Sequence, residues 1–80
     1  MDIRWPDRGT VLVDIDGRTL RVVGEALLER RPDFLIFPEH ITHWEDGAPL
    51  EDAEKSDVLS QVIEAAAARG WIFAILRRDE

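Results

Sequence analysis

Residues 10–23 read TVLVDIDGRTLRVV, two short β-rich runs on either side of Asp16-Gly17. That dipeptide supplies the positive φ angles of a type I′ turn, so the stretch predicts a tight antiparallel hairpin. A two-residue turn also fixes the register. Val13 falls opposite Leu20 and Val11 opposite Val22 on one face, while Leu12, Asp14, Thr19 and Arg21 share the other. A hairpin with one apolar and one mixed face belongs to a sheet that packs on one side, and the rest of the chain must supply the packing.

Downstream, GEALLERRP at 24–32 is too short and too charged for a stable helix. At most one turn from Ala26 to Glu29 fits before Pro32 disfavours helix at Arg31, and the segment reads as a connector. Phe34-Leu35-Ile36-Phe37 is apolar on both faces, the pattern of a central strand, and Pro38-Glu39 suits a turn into a second extended run from His40 to Trp44. This predicts a second hairpin. Glu45-Asp46-Gly47-Ala48-Pro49 is loop chemistry, and Glu51 or Asp52 would cap a following helix whose acidic start favours its positive end. Leu59, Val62, Ile63 and Ala66 form one helical stripe, and Gly70 sits where a left-handed residue ends a helix, which predicts a helix from about 52 to 69. Trp71 to Leu76 is a further strand apolar on both faces, closed off by residues 77–80, RRDE. The expected architecture is a single α+β domain over residues 1–80: about five mostly antiparallel strands in the order ββββαβ, with one long helix packed on one face. A single helix cannot cover both faces. The far face must be closed by strand curvature and the connector, or by a bound protein or a second copy.

Composition narrows the class. Eighty residues suffice for one core, since a chain this short buries only about 60% of its unfolded surface. With 45% hydrophobic residues the chain is too apolar to stay disordered. Its formal charge of −7 repels phosphate backbones and anionic headgroups, so nucleic acid and membrane surfaces are poor partners and a basic protein is a good one. The absence of cysteine excludes disulfide and thiolate chemistry and suits a reducing compartment. MDIRWPDRG at the N-terminus has the character of neither a signal nor a transit peptide, and no apolar run approaches membrane-spanning length, so the cytoplasm is the expected location.

Catalytic patterns are weak. VLVDIDGRTL echoes the D-x-D-G-T opening of haloacid-dehalogenase phosphatases, but Arg18 interrupts it, the chain is too short for that doubly wound fold, and a returning strand follows Gly17. Asp14 and Asp16 read as a strand residue and a turn residue. His40 and His43, three apart on an extended run, point to opposite faces and cannot share a metal ion. No pattern of serine, histidine and aspartate, no phosphate loop and no basic stripe is present, so we expect no enzyme, no cofactor and no metal. Three tryptophans direct attention to packing and interfaces. Trp71 reads as core, while Trp44 suits either a core or an interface. Around it Glu39, Glu45, Asp46 and Asp52 form a candidate acidic rim, and His43 beside them is the kind of side chain that lends pH sensitivity to a contact. The candidate partner-binding residues are therefore Glu39, His43, Trp44, Glu45, Asp46 and Asp52.

The residues from DFLIFPEHITHWE through Pro49-Leu50, the acidic helix start with Lys55, the stripe through Ile63 and Gly70-Trp71 also carry a resemblance. They resemble the small immunity proteins of bacterial polymorphic-toxin systems, in particular immunity-protein family seventy-four, with GRTLRVVGEAL resembling its second strand and following turn. The chain departs from that pattern after Trp44, with Glu45-Asp46-Gly47-Ala48 before Pro49, and in Glu51 where the family has a capping serine. The resemblance implies a cytosolic protein that binds and neutralises a cognate toxin domain. The −7 charge favours a basic one, and a homodimer stays open as the alternative.

Overall fold

Asp16 and Gly17 adopt φ angles of 51° and 81° in the computed structural model, which describes residues 1–27 and 31–76. Both signs are those of a type I′ turn. The turn joins β2 (Thr10–Ile15) to β3 (Arg18–Ala26). Their antiparallel register sets Val13 against Leu20 and Val11 against Val22, as the turn demands. All four side chains are buried.

Four strands precede the helix, but they are not the four expected. The chain opens with β1 (Asp2–Asp7), antiparallel to β2 and joined to it through Arg8-Gly9. Its alternation places Ile3 and Trp5 inward and Asp2 and Arg4 outward. As an edge strand with an irregularity between Arg4 and Asp7, it tolerates Pro6 and a run of charges that an interior strand would not. Conversely, His40–Trp44 is not a strand of the sheet. Pro38 opens a 3-10 turn, Pro38–His40, which the Lys55 ammonium fastens by donating to the Pro38 carbonyl at 3.0 Å. The chain beyond it folds into a small hairpin of its own, with His43 bridged to Pro49.

The long β3 serves two neighbours in succession. Residues 18–23 pair with β2, and Gly24 to Ala26 pair with β4 (Phe34–Ile36). Gly24 is required there because a Cβ would collide with the Leu35 carbonyl oxygen and lie 2.7 Å from the Phe34 ring. β5 (Phe73–Ile75) joins β4 in parallel, so the order across the sheet is β1-β2-β3-β4-β5. A parallel pair needs a crossover connection, and α1 (Asp52–Ala68) provides it. The helix starts after Glu51 and ends in a full Schellman closure: Gly70 N–H donates to the Ala67 carbonyl and Trp71 N–H to Ala66. Asp33 starts the parallel pair. Its carboxylate accepts the Ile72 N–H at 2.7 Å while its own N–H donates to the Ile72 carbonyl.

Val58, Leu59, Val62 and Ala66 are the buried residues of α1. Val58 is therefore inside and Ile63 only half-buried, a rotation of the expected stripe by about a residue. They pack on Val11, Val13, Leu20, Val22, Phe34 and Ile36. The sheet curls enough for Trp5, on one edge strand, to meet Phe34 and Phe73 edge-on at 5.5 and 5.6 Å, and Trp71 at 5.3 Å. Curvature thus closes one end of the concave face with aromatic rings. The turn expected from Ala26 to Glu29 is not seen at its start, where Ala26 ends β3 and Leu27 N–H donates to the Asp33 carbonyl; its last two residues, like residues 77–80, lie outside the described residues.

Candidate partner-binding site

The residues singled out after Pro38 are shaped by the small hairpin. Leu50 N–H donates to the Thr42 carbonyl and Trp44 N–H to Ala48, while Gly47 N–H returns to Trp44. Inside the turn the Asp46 carboxylate accepts the Ala48 N–H at 2.9 Å. The turn is docked on β3, where Glu45 N–H donates to the Thr19 carbonyl at 2.9 Å. Trp44 is only 5% exposed and belongs to the core with Ile41 and Leu50. Its Nε1 is buried without a hydrogen-bond partner among the described residues.

The neighbouring carboxylates are exposed but not unopposed. Glu45 receives the Arg21 guanidinium at 2.9 Å, which holds Arg21 above its ordinary value. Asp46 lies 3.7 Å from Arg18, whose guanidinium carbon also sits 4.1 Å above the Trp44 ring. Arg18 and Arg21 differ by an odd number of strand positions and so point to opposite faces of the sheet. Glu45 is thereby drawn to the convex face and Asp46 to the concave one, and the expected acidic rim is divided across the strand edge.

The other candidates are dispersed. Glu39 lies on the 3-10 turn and lines a recess of about 250 Å³ with Phe37, Pro38, His40 and Leu76. Trp44 lines a different one, of about 220 Å³, with Asp16, Arg18, Glu54, Asp57 and Gln61 among its other walls. His43 is exposed, its Nδ1 2.8 Å from the Thr42 hydroxyl. Asp52 is the exposed first residue of α1. Only Trp44, Glu45 and Asp46 are brought together. Arg18, Arg21, Asp16, Glu54 and Asp57 were missed as part of this region. The available signal was the stripe of Glu54, Asp57 and Gln61 at i, i+3 and i+7, one exposed helical face. Among the described residues no three histidine or acidic side chains converge as a metal site would, and no helix is long and apolar enough to cross a membrane.

A family model described as Immunity protein 74 matches residues 5–75. No curated protein and no solved structure matches the chain.

Proposed function

From the premise that this chain belongs to the immunity protein 74 family, we infer that it binds a cognate toxin domain in the cytoplasm and silences it by occupancy, with no chemistry of its own. Family membership over nearly the whole folded unit is the observation that carries this reading. The net charge of −7 supports a basic partner, because opposite net charges steer encounter and raise the association rate. Within this reading Glu39, His43, Glu45, Asp46 and Asp52 are exposed for direct contact, and Trp44 supports the turn from beneath. The test is co-expression with the toxin domain encoded beside this gene. Protection of the cells and recovery of a purified complex are expected; toxicity unrelieved by the protein, with no complex, overturns the reading.

A second reading, self-association without a toxin, is favoured by one observation. Ile72 and Leu76 remain 50% and 45% exposed at the two ends of edge strand β5. Their even spacing puts them on one face, where a second copy would cover them. Sedimentation across a range of concentrations separates the two: a monomer at all of them removes this alternative.

A further inference from the structure

The Asp16-Gly17 turn and the first half of α1 face each other across the 220 Å³ recess whose walls include Trp44. Asp16, Glu54 and Asp57 bring three carboxylates to it, against the single cation of Arg18. Asp57 accepts a 3.2 Å hydrogen bond from Gln61. Asp16 and Glu54 have neither an ion-pair nor a hydrogen-bond partner among the described residues. Of the carboxylates around Trp44, those without a counter-charge therefore lie here, whereas Glu45 and Asp46 each face an arginine. Trp44 offers a π face to a cation, and that seat is taken by Arg18, whose side chain is 39% exposed and tethered to Asp46 only at 3.7 Å.

The geometry points to this recess as the receiving site for an arginine or lysine side chain of the partner, with Arg18 as a placeholder that yields the Trp44 ring to the incoming cation. The identity of the protein that brings the cation rests on the immunity reading. The site itself does not. Charge complementarity selects the occupant: an acidic side chain would meet three carboxylates, and an apolar one would leave them without counter-charge.

Two measurements test it. In the first, the capped tripeptide acetyl-Gly-Arg-Gly-amide is titrated into the labelled protein and the three tryptophan indole N–H signals are followed by NMR. The Trp44 signal should shift and saturate while that of Trp5 stays in place. Replacing two of the three recess carboxylates, Glu54→Gln with Asp57→Asn, should abolish the shift, and Arg18→Ala should tighten binding several-fold by vacating the ring and removing the one opposing charge. No shift of Trp44 into the millimolar range, or a shift indifferent to the carboxylate replacements, overturns the site. Because Glu54 and Asp57 are exposed, their variants keep the fold, so the result stands even where Arg18→Ala destabilises the protein. In the second, Glu54→Lys with Asp57→Lys is tested against the neighbouring gene's toxin domain. Binding with unchanged kinetics overturns the recess and leaves the immunity reading intact; absence of any toxin binding beside a positive peptide titration does the reverse.

Discussion

The Asp14 carboxylate accepts hydrogen bonds from the Thr19 hydroxyl at 2.7 Å and from Arg4 at 2.9 Å, and these hold its pKa below the ordinary value, the Thr19 bond contributing most. A carboxylate with a depressed folded-state pKa contributes stability that is complete above its unfolded pKa and is lost as pH falls through the folded one. Thr19→Val keeps a β-branched strand residue but removes the donor. Asp14 should then titrate closer to its ordinary value when its side-chain carbon is followed by NMR; an unchanged titration would assign the depression to Arg4. A second residue-scale expectation concerns Gly24. Adding one methyl group there sets a Cβ against the Leu35 carbonyl and the Phe34 ring. The carbonyl is backbone and cannot step aside as a side chain would. Overpacking of this kind costs about 1–3 kcal/mol, so Gly24→Ala should lower the melting temperature even though alanine is the better strand residue. Nothing in the sequence marks this glycine, because the collision is with residues ten and eleven positions away that only the β3–β4 pairing brings near.

At the scale of elements, what was legible was local chemistry, and what was not depended on distant partners. The β2–β3 register follows from two turn residues, and the span of α1 from its periodicity and Gly70, all within a few residues of one another. β1 escaped notice because a strand at the sheet edge needs only alternate inward residues, here Ile3 and Trp5, and Pro6 masks that short alternation. The run from His40 to Trp44 has the composition of a strand but lost its place when Pro38 began a turn that Lys55, seventeen residues on, fastens to the helix. The helix stripe itself provides a graded test. Leu59 is 2% exposed while Ile63 is half-buried. Truncating a fully buried leucine costs about 2–5 kcal/mol, so Leu59→Ala should destabilise by that amount and Ile63→Ala by clearly less. Equal losses in denaturant titrations would mean that α1 sits rotated from the orientation described. Asp33 offers a test of the parallel pair: Asp33→Ala removes the acceptor for Ile72 N–H. A hydrogen bond to a charged group is worth about 1.5–3 kcal/mol, and partial exposure of Asp33 places the expected loss near the lower end.

For the whole molecule, net charge and its placement can be separated experimentally. The candidate site was legible only as far as its charge and its tryptophan. The sequence shows that Glu45 and Asp46 flank Trp44, but it cannot show that Arg21 and Arg18 reach them from a strand more than twenty residues earlier. Two double charge reversals exploit that difference. Glu45→Lys with Asp46→Lys and Glu54→Lys with Asp57→Lys each move the formal charge by four units, from −7 to −3. A distant basic partner feels chiefly the total field, so both variants should slow association at low salt to a similar degree, and the difference from the parent should shrink as salt screens it. Once the partner is docked, only contacts within a few ångströms matter. If its cation enters the recess, the Glu54/Asp57 variant should also dissociate faster, whereas the Glu45/Asp46 variant should dissociate at the parent rate. The latter carries its own signature, because two ammonium groups beside Arg18 and Arg21 replace attractions with repulsions and should lower its melting temperature. Dissociation rates and melting curves of both variants, measured side by side against the same toxin domain, therefore locate the contact. Faster dissociation of the Glu45/Asp46 variant alone would return the site to the turn, and faster dissociation of both would spread it across the edge that divides Glu45 from Asp46.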